Sequence, residues 1–130
     1  MAKNRRHFIR YTLPMWLWAA LMLTVSSLPG TSLPQGNMWE WDKFAHAFEY
    51  MVLGILMYRY VVSVHRVSFA KANVLVAVCI PLFGVVDEIH QLFIPFRSCT
   101  WQDMVADAGG AIIAIVLMQI GFLRKRIIGD

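Results

Sequence analysis

Four long apolar segments constrain this chain more than any other feature of its sequence, because each approaches the length needed to cross a lipid bilayer. They cover approximately residues 11–28, 44–62, 72–93 and 104–123. A bilayer core about 30 Å thick needs roughly 20 apolar residues in a helix. The composition agrees, since 58% of the residues are hydrophobic and only 15% are charged, against about a quarter in a typical soluble domain. The sequence therefore predicts one all-α domain over residues 1–130, an integral membrane four-helix bundle.

The basic residues predict the orientation, because Lys and Arg collect on the cytoplasmic side of a membrane protein. Ten of the twelve lie at the N-terminus, in the last turn of the second segment and the connection after it, or at the C-terminus, which leaves Lys43 and Arg97 on the other side. We therefore expect both termini to be cytoplasmic. The first segment also fits a cleaved signal peptide, but its long apolar part and the lack of an A-x-A site favour a retained anchor.

The sequence gives little support to nucleic-acid binding or to a disulfide bond. The basic residues flank apolar segments and are not interleaved along a soluble face, so nucleic-acid binding is not expected. The two cysteines, Cys79 in the third segment and Cys99 in the loop beyond it, are separated by roughly 20 Å of helix, too far for a disulfide. We predict that both are free thiols.

Three polar clusters border the predicted outer ends of the apolar segments. Asp42, His46, Glu49 and Tyr50 recur at helical spacing and can share one face, as can Asp87 with Gln91 and Asp103 with Asp107. All three clusters lie at a similar depth, so a bundle could bring them to one pocket. They contain Asp42, Lys43, His46, Glu49 and Tyr50 at the start of the second segment, Asp87, Glu88 and Gln91 at the end of the third, followed by Arg97, and Asp103 and Asp107 at the start of the fourth.

Ionisable groups at membrane depth are costly, which makes them a functional-site hypothesis. Asp87 lies about one and a half turns inside its helix and Asp107 about one turn inside, so each needs a partner or a proton. The candidates for general acid–base chemistry are His46, Asp87, Glu88 and Asp107. The candidates for substrate binding are Lys43, Tyr50, Gln91, Arg97, Asp42 and Asp103, and Arg97 suits bidentate binding of an anionic phosphate or carboxylate.

Structural interpretations of the same residues stay open. Asp42 and Asp103 also suit caps at helix N-termini, and His46 alone would more often be a hydrogen-bonded structural histidine. Gly109 and Gly110, with nearby alanines, are more typical of close helix packing than of a ligand loop. Carboxylates and histidine also suit a divalent cation, but no spacing here is a metal signature, so a cofactor is not assigned.

Three motifs resemble the VanZ-like family of small bacterial membrane proteins. They are Asp42-Lys43-x-x-His46-x-x-x-Tyr50, then Asp87-Glu88-x-x-Gln91-x-Phe93-x-Pro95-x-Arg97, then Asp103 followed by Ala106-Asp107-x-Gly109-Gly110. Two positions depart from the family, which often has Asn in place of Asp107 and Gly in place of Phe96. The resemblance implies a compact helical domain in the bacterial cytoplasmic (inner) membrane and points to the cell envelope. The founding member of the family is associated with teicoplanin resistance.

Three hypotheses for function remain. The first is an envelope enzyme that hydrolyses or transfers a group on a lipid or glycolipid headgroup, with membrane lipids and an envelope glycolipid or peptidoglycan precursor as partners. The second is a non-catalytic binder of an envelope lipid or antibiotic, which would use the same pocket without turnover. The third is a structural, assembly or transport element, although the inner halves of the helices lack the polar residues that a path through the membrane needs. The oligomeric state is not predicted.

Overall fold

The computed structural model describes residues 2–32, 39–120 and 125, and this part of the chain contains helices and turns but no strand. The all-α prediction is confirmed. The helices are α1 (Ala2–His7), α2 (Leu13–Ser26), α3 (Trp39–Ser63), α4 (Phe69–Gln91) and α5 (Trp101–Gln119), with a π turn at Phe8–Thr12 and a 3₁₀ turn at Gly30–Ser32. Residues 121–123 of the predicted fourth segment lie outside the described residues.

Local sequence explains where the later helices begin. Ser68 precedes α4 in an extended conformation, and its hydroxyl accepts a hydrogen bond from the Lys71 amide at 3.4 Å, as an N-cap residue does. Thr100, also extended, precedes α5. Pro81 lies inside α4 without ending it. The helix α3 begins five residues before the predicted segment, at Trp39 rather than 44.

Within the described residues, three helical segments are long and apolar enough to cross a membrane: Arg5–Ser26, Phe69–Gln91 and Trp101–Gln119. The outward face of α4 is continuously apolar, with Val78, Leu82 and Val86 all more than half exposed. The predicted span 44–62 is helical within α3, but this helix is not among the three. Charged and polar side chains such as His46, Glu49 and Arg59 lower its hydropathy.

Close helix contacts at glycines set the arrangement of α3, α4 and α5. A Cβ at Gly110 of α5 would collide with the carbonyl oxygen of Ala47 and lie 2.8 Å from the Met51 amide, both on the backbone of α3. One turn further along, a Cβ at Gly54 would lie 2.8 Å from the Ala114 methyl. On α4, a Cβ at Gly84 would lie 2.5 Å from Oδ2 of Asp107. The predicted packing role is therefore confirmed for Gly110, whereas Gly109 faces open space.

These neighbouring glycines give a matched test of the helix contact. We expect Gly110→Ala to lower the free energy of unfolding by about 1–3 kcal/mol, the usual cost of overpacking, because the new methyl group meets backbone atoms. We expect Gly109→Ala to be neutral or stabilising by up to about 1 kcal/mol, since alanine is the better helix former. Unfolding of both variants in detergent, followed by circular dichroism, measures the difference. Equal effects would contradict the close contact.

A tight turn after α4 packs against the end of the N-terminal helix. The Gly30 amide donates to the Pro95 carbonyl at 3.1 Å, and a Cβ at Gly30 would collide with the Phe96 carbonyl. Phe96 has a φ of 61°, in the left-handed region that costs a residue with a side chain about 1–2 kcal/mol. The side chain of Phe96 is 81% exposed, so burial does not repay that strain.

Replacing Phe96 by glycine should therefore not destabilise the protein. We expect Phe96→Gly to raise the free energy of unfolding by up to about 1 kcal/mol, because the relieved strain slightly exceeds the entropy that glycine loses on folding. Phe93→Gly is the control, since Phe93 is equally exposed at 80% but is not among the residues with positive φ. Thermal unfolding should separate the two variants, and a larger loss for Phe96→Gly would contradict the strain.

Candidate functional site

Polar side chains from three helices meet where α3 begins, α4 ends and α5 begins. We call Asp87, Glu88 and Asp107 the carboxylate cluster; their relative exposures are 4%, 0% and 0%. His46 of α3 faces this cluster with its side chain 13% exposed. The contacts of Gly84 and Gly110 explain the meeting, because they bring the helix backbones together at the level of Asp107. The four predicted catalytic candidates therefore lie together.

His46 and Asp107 form the central pair of the site. Nδ1 of His46 lies 2.9 Å from Oδ1 of Asp107 and 3.9 Å from Oε1 of Glu88. The first distance is that of a hydrogen bond, and the second is that of an ion pair when the imidazole is protonated. The ring of Tyr50 lies nearly parallel to the imidazole, at 4° and with 6.3 Å between centroids. Asp107 therefore holds the imidazole in place from α5.

Asp87 accepts hydrogen bonds from two of the predicted binding residues. The Tyr50 hydroxyl donates to Oδ2 of Asp87 at 3.4 Å, and the Gln91 amide donates to the same oxygen at 3.3 Å. The other oxygen of Asp87 has no hydrogen-bond partner among the described residues. Tyr50 is itself 1% exposed, so it acts as a buried donor to a buried carboxylate and is not open to a ligand.

Glu88 is the least satisfied group of the site. Neither of its carboxylate oxygens has a hydrogen-bond partner within the described part of the chain. The thiol of Cys99 lies near it, but a thiol is only a weak donor. Oδ2 of Asp107 also has no such partner. Buried carboxylate oxygens are normally satisfied, so these atoms mark the part of the site where a proton, an ion or a ligand would be most stabilising.

Lys43 belongs to a second, more exposed group beside the carboxylate cluster. Its ammonium donates to Oδ1 of Asp103 and lies 3.3 Å from Oδ2 of Asp42, while the Thr100 hydroxyl donates to the other oxygen of Asp103. Asp42 and Asp103 lie within the first turn of α3 and α5 rather than at the residue preceding it. Neither is therefore the N-cap residue, and Thr100 takes that position before α5. Asp103, in the first turn of α5, keeps the predicted favourable position for the helix dipole.

The remaining predicted polar residues lie at the margin of the site. Arg97 follows the turn after α4; Nε of its guanidinium has no hydrogen-bond partner in the described chain, and it interacts electrostatically with Glu49. His90 faces away from the carboxylate cluster, and its Nε2 lies 3.0 Å from the Ser27 hydroxyl. Both cysteines are free thiols, as predicted. Burial and the nearby Glu88 raise the pKa of the Cys99 thiol, which favours its neutral form.

Two residues of the site were not predicted from the sequence. Gly84 lies against Asp107, and the sequence marks it only as a glycine near Pro81. Thr100 hydrogen-bonds Asp103, and the signal that could have found it is the Thr-x-x-Asp pattern at a helix start. Both residues are uncharged, so neither carries the charge signal that marks the ionisable candidates in the sequence.

The site can support two kinds of chemistry. A histidine hydrogen-bonded to a carboxylate can accept and donate a proton, and several carboxylates around an imidazole can ligate a cation.

The family model described as VanZ/LLP1 matches residues 3–123. The chain belongs to the VanZ/LLP1 family. The match covers every residue of the site, and the resemblance seen in the three motifs is confirmed. Searches of curated proteins and of solved structures found no match to this chain.

The Tyr50–Asp87 hydrogen bond gives a test of the buried polar contacts. We expect Tyr50→Phe to lower the free energy of unfolding by about 1–3 kcal/mol, because a buried carboxylate loses a donor. In an Asp87→Asn background the loss should be smaller, since the charge is gone. Tyr58→Phe is the control: its equally buried hydroxyl donates to the Phe69 carbonyl at 3.3 Å, and its effect should not depend on Asp87. A double-mutant cycle of unfolding in detergent that found no coupling between Tyr50 and Asp87 would contradict this.

Proposed function

We propose that this VanZ/LLP1 family protein is a multi-pass protein of the bacterial cytoplasmic membrane whose polar site acts on the headgroup of an envelope lipid or glycolipid. In this proposal four segments span the membrane, α3 among them, as a four-helix bundle with both termini in the cytoplasm. The three membrane-capable segments support it, as do the ten of twelve basic residues that the sequence places away from the three polar clusters. The site then faces the extracytoplasmic side, level with lipid headgroups.

The observation that carries the proposal is that two buried carboxylates, Asp107 and Glu88, face one histidine, His46, with the buried carboxylate of Asp87 beside them on α4. A structural role alone needs few such groups, because each is costly to bury between apolar helices. His46 would move a proton, oriented by Asp107 as the base of a catalytic pair is oriented by its partner. The reaction class would be hydrolysis or group transfer at the headgroup, which would alter the envelope and its response to glycopeptide antibiotics.

The contacts of Lys43 and Arg97 indicate which of the two basic residues would bind the anionic headgroup. Lys43 is engaged by Asp103 and Asp42, so it serves the helix ends more than an anionic ligand. Arg97 stands at the margin with a buried guanidinium nitrogen that lacks a hydrogen-bond partner among described residues. We therefore assign the headgroup phosphate or carboxylate to Arg97, whose planar fork suits either anion.

A non-catalytic role is the second candidate, and a specific observation favours it. Asp87 is held by Tyr50 and Gln91, and Asp103 by Lys43 and Thr100. Paired groups of this kind fix helices against each other and need no tuned proton transfer. In this case the site would bind an envelope lipid or antibiotic, or hold the bundle together, without turnover.

Variants of the site in a host deleted for this gene separate these functions. We expect His46→Ala and Asp87→Asn to keep folded-protein abundance while the headgroup composition of extracted envelope lipids reverts to that of the deletion host. His90→Ala is the matched control, because His90 lies at the same end of the helices but contacts Ser27 instead of the carboxylate cluster. Membrane immunoblotting and lipid mass spectrometry give the two readouts.

The pattern of loss decides between the candidates. Unchanged lipids in cells with and without the wild-type protein would contradict the enzyme proposal and favour binding. A collapse in abundance of both site variants, with His90→Ala normal, would mean that the polar residues chiefly hold the helices together.

A further inference from the structure

We propose that His46, Glu88 and Asp107 bind a divalent transition-metal cation, with Zn²⁺ or Mn²⁺ as the chemical class. The inference concerns the same cluster as the proposed function and rests on that proposal for the role of the ion, whereas ion binding can be measured without any lipid substrate. It is carried by geometry, by unsatisfied buried oxygens and by charge.

The three side chains present ligand atoms at the spacing of a metal site. Nδ1 of His46 and one carboxylate oxygen each from Glu88 and Asp107 all lie within 4.8 Å of one another. Two of these distances are 2.9 Å, from Nδ1 to Asp107, and 3.9 Å, from Nδ1 to Glu88. Donor atoms about 2.1 Å from a common zinc ion can be at most about 4.2 Å apart. Both separations fall inside that limit. The third, between the two carboxylate oxygens, is within 4.8 Å, so an ion bound by all three groups would have to draw these oxygens to within about 4.2 Å of each other by side-chain rotation.

Unsatisfied buried oxygens point to a ligand at this position. The side chain of Glu88 is 1% exposed, and neither of its oxygens has a hydrogen-bond partner in the described chain. The side chain of Asp107 is 0% exposed, and its Oδ2 also has no hydrogen-bond partner in the described chain. A carboxylate removed from water without a partner is costly, and an ion bound by both residues would satisfy these oxygens together.

The charge balance of the cluster also calls for a cation. Asp87, Glu88 and Asp107 place up to three negative charges in a buried volume with His46 as the adjacent titratable base. Lys43 is drawn to Asp103 on the other side of His46. A divalent ion supplies two positive charges where the oxygens converge. It would also remove the mismatch between an acidic site and an anionic headgroup, because its open positions accept a phosphate oxygen.

The ligand types favour a transition metal over Mg²⁺ or Ca²⁺. One imidazole nitrogen with two carboxylates suits Zn²⁺ and Mn²⁺, whereas the hard cations prefer oxygen ligands throughout. Three protein ligands leave at least one position for water or substrate, as in catalytic zinc sites. Gly84 lies against Asp107 and so limits the positions that this ligand can adopt.

A second trio in the same region is less suitable. Asp42, His46 and Asp103 also place one ligand atom each within 4.8 Å of the others. Asp103, however, already accepts from Lys43 and Thr100, and the side chain of Asp42 is 51% exposed. An ion there would have to displace the Lys43 ammonium and compete with water. We therefore assign the ion to the deeper trio.

Metal binding to the purified full-length protein tests the inference. After chelator treatment in detergent, Zn²⁺ binding is measured by calorimetry and Mn²⁺ binding by electron paramagnetic resonance. We expect one ion per chain, tighter for Zn²⁺ than for Mn²⁺ and weakest for Mg²⁺. Glu88→Gln should weaken binding by about 100-fold or more, since loss of even a group that only orients a ligand costs 10–100-fold. Asp42→Asn and His90→Ala should leave the affinity unchanged.

The stability of the Glu88→Gln variant also shows whether a loss of metal binding could be due to misfolding. The glutamine keeps the shape of Glu88 and removes a buried charge without a hydrogen-bond partner, so the metal-free variant should unfold at or above the wild-type temperature. Zn²⁺ should raise the unfolding temperature of the wild type alone, by linkage. Absence of binding to the wild type up to millimolar Zn²⁺ would overturn the inference and mean that protons neutralise the cluster. Binding that survives Glu88→Gln but fails in Asp42→Asn would also overturn it, in favour of the second trio.

The outcomes for ion and function are separable. If the wild type binds the ion but envelope lipids do not change, the proposed function fails and the metal site stands. If the lipids change with the wild type and the protein binds no ion, the metal inference fails and the proposed function stands.

Discussion

The cost of burying a carboxylate between apolar helices governs this structure. Asp87, Glu88 and Asp107 are at most 4% exposed. They lie in α4 and α5, and both of these helices are apolar enough to cross a membrane. Such groups are tolerated only with partners, protons or ions. Tyr50 and Gln91 donate hydrogen bonds to Asp87, and His46 is hydrogen-bonded to Asp107. The helices that carry these side chains have apolar outward faces. The hydrogen bonds between the buried polar side chains and the packing of the apolar helix faces therefore depend on each other.

The fold was largely predictable because hydrophobic length is a strong signal. Residues 72–93 and 104–119 of the predicted segments fall almost entirely within α4 and α5. The start of α3 was less accessible, since 39–43 mixes tryptophan with charge and has no apolar periodicity. The break within the N-terminal helix was not predicted either. The π turn at Phe8–Thr12 contains Tyr11, which is 7% exposed and lies under the Arg59 guanidinium, and no local sequence pattern predicts that contact.

The membership of the site was predictable, but its pairings were not. Spacing places His46 and Tyr50 on one face of a helix, yet spacing cannot say that the imidazole meets Asp107 while the phenol meets Asp87. The first pairing depends on how α5 is rotated against α3, which the Gly110 contact sets, and the second depends on how α4 is rotated against α3. Lys43 illustrates the same limit: charge alone makes it a partner for any of the six carboxylates of the three polar clusters, and its position near the start of α3 places it against Asp103.

The contacts of α5 constrain the spacing of its residues more than their identity. Asp103, Asp107, Gly110 and Ala114 follow one another at intervals of four, three and four, so they form a single stripe on the helix. A deletion or insertion of one residue within that stripe would rotate everything beyond it by about 100°. It would turn Asp107 away from His46 or Gly110 away from α3, even if every side chain were retained. The exposed face, with Ile112 and Val116, is free to exchange one apolar residue for another, so the chain should tolerate drift in composition there but not a change of length.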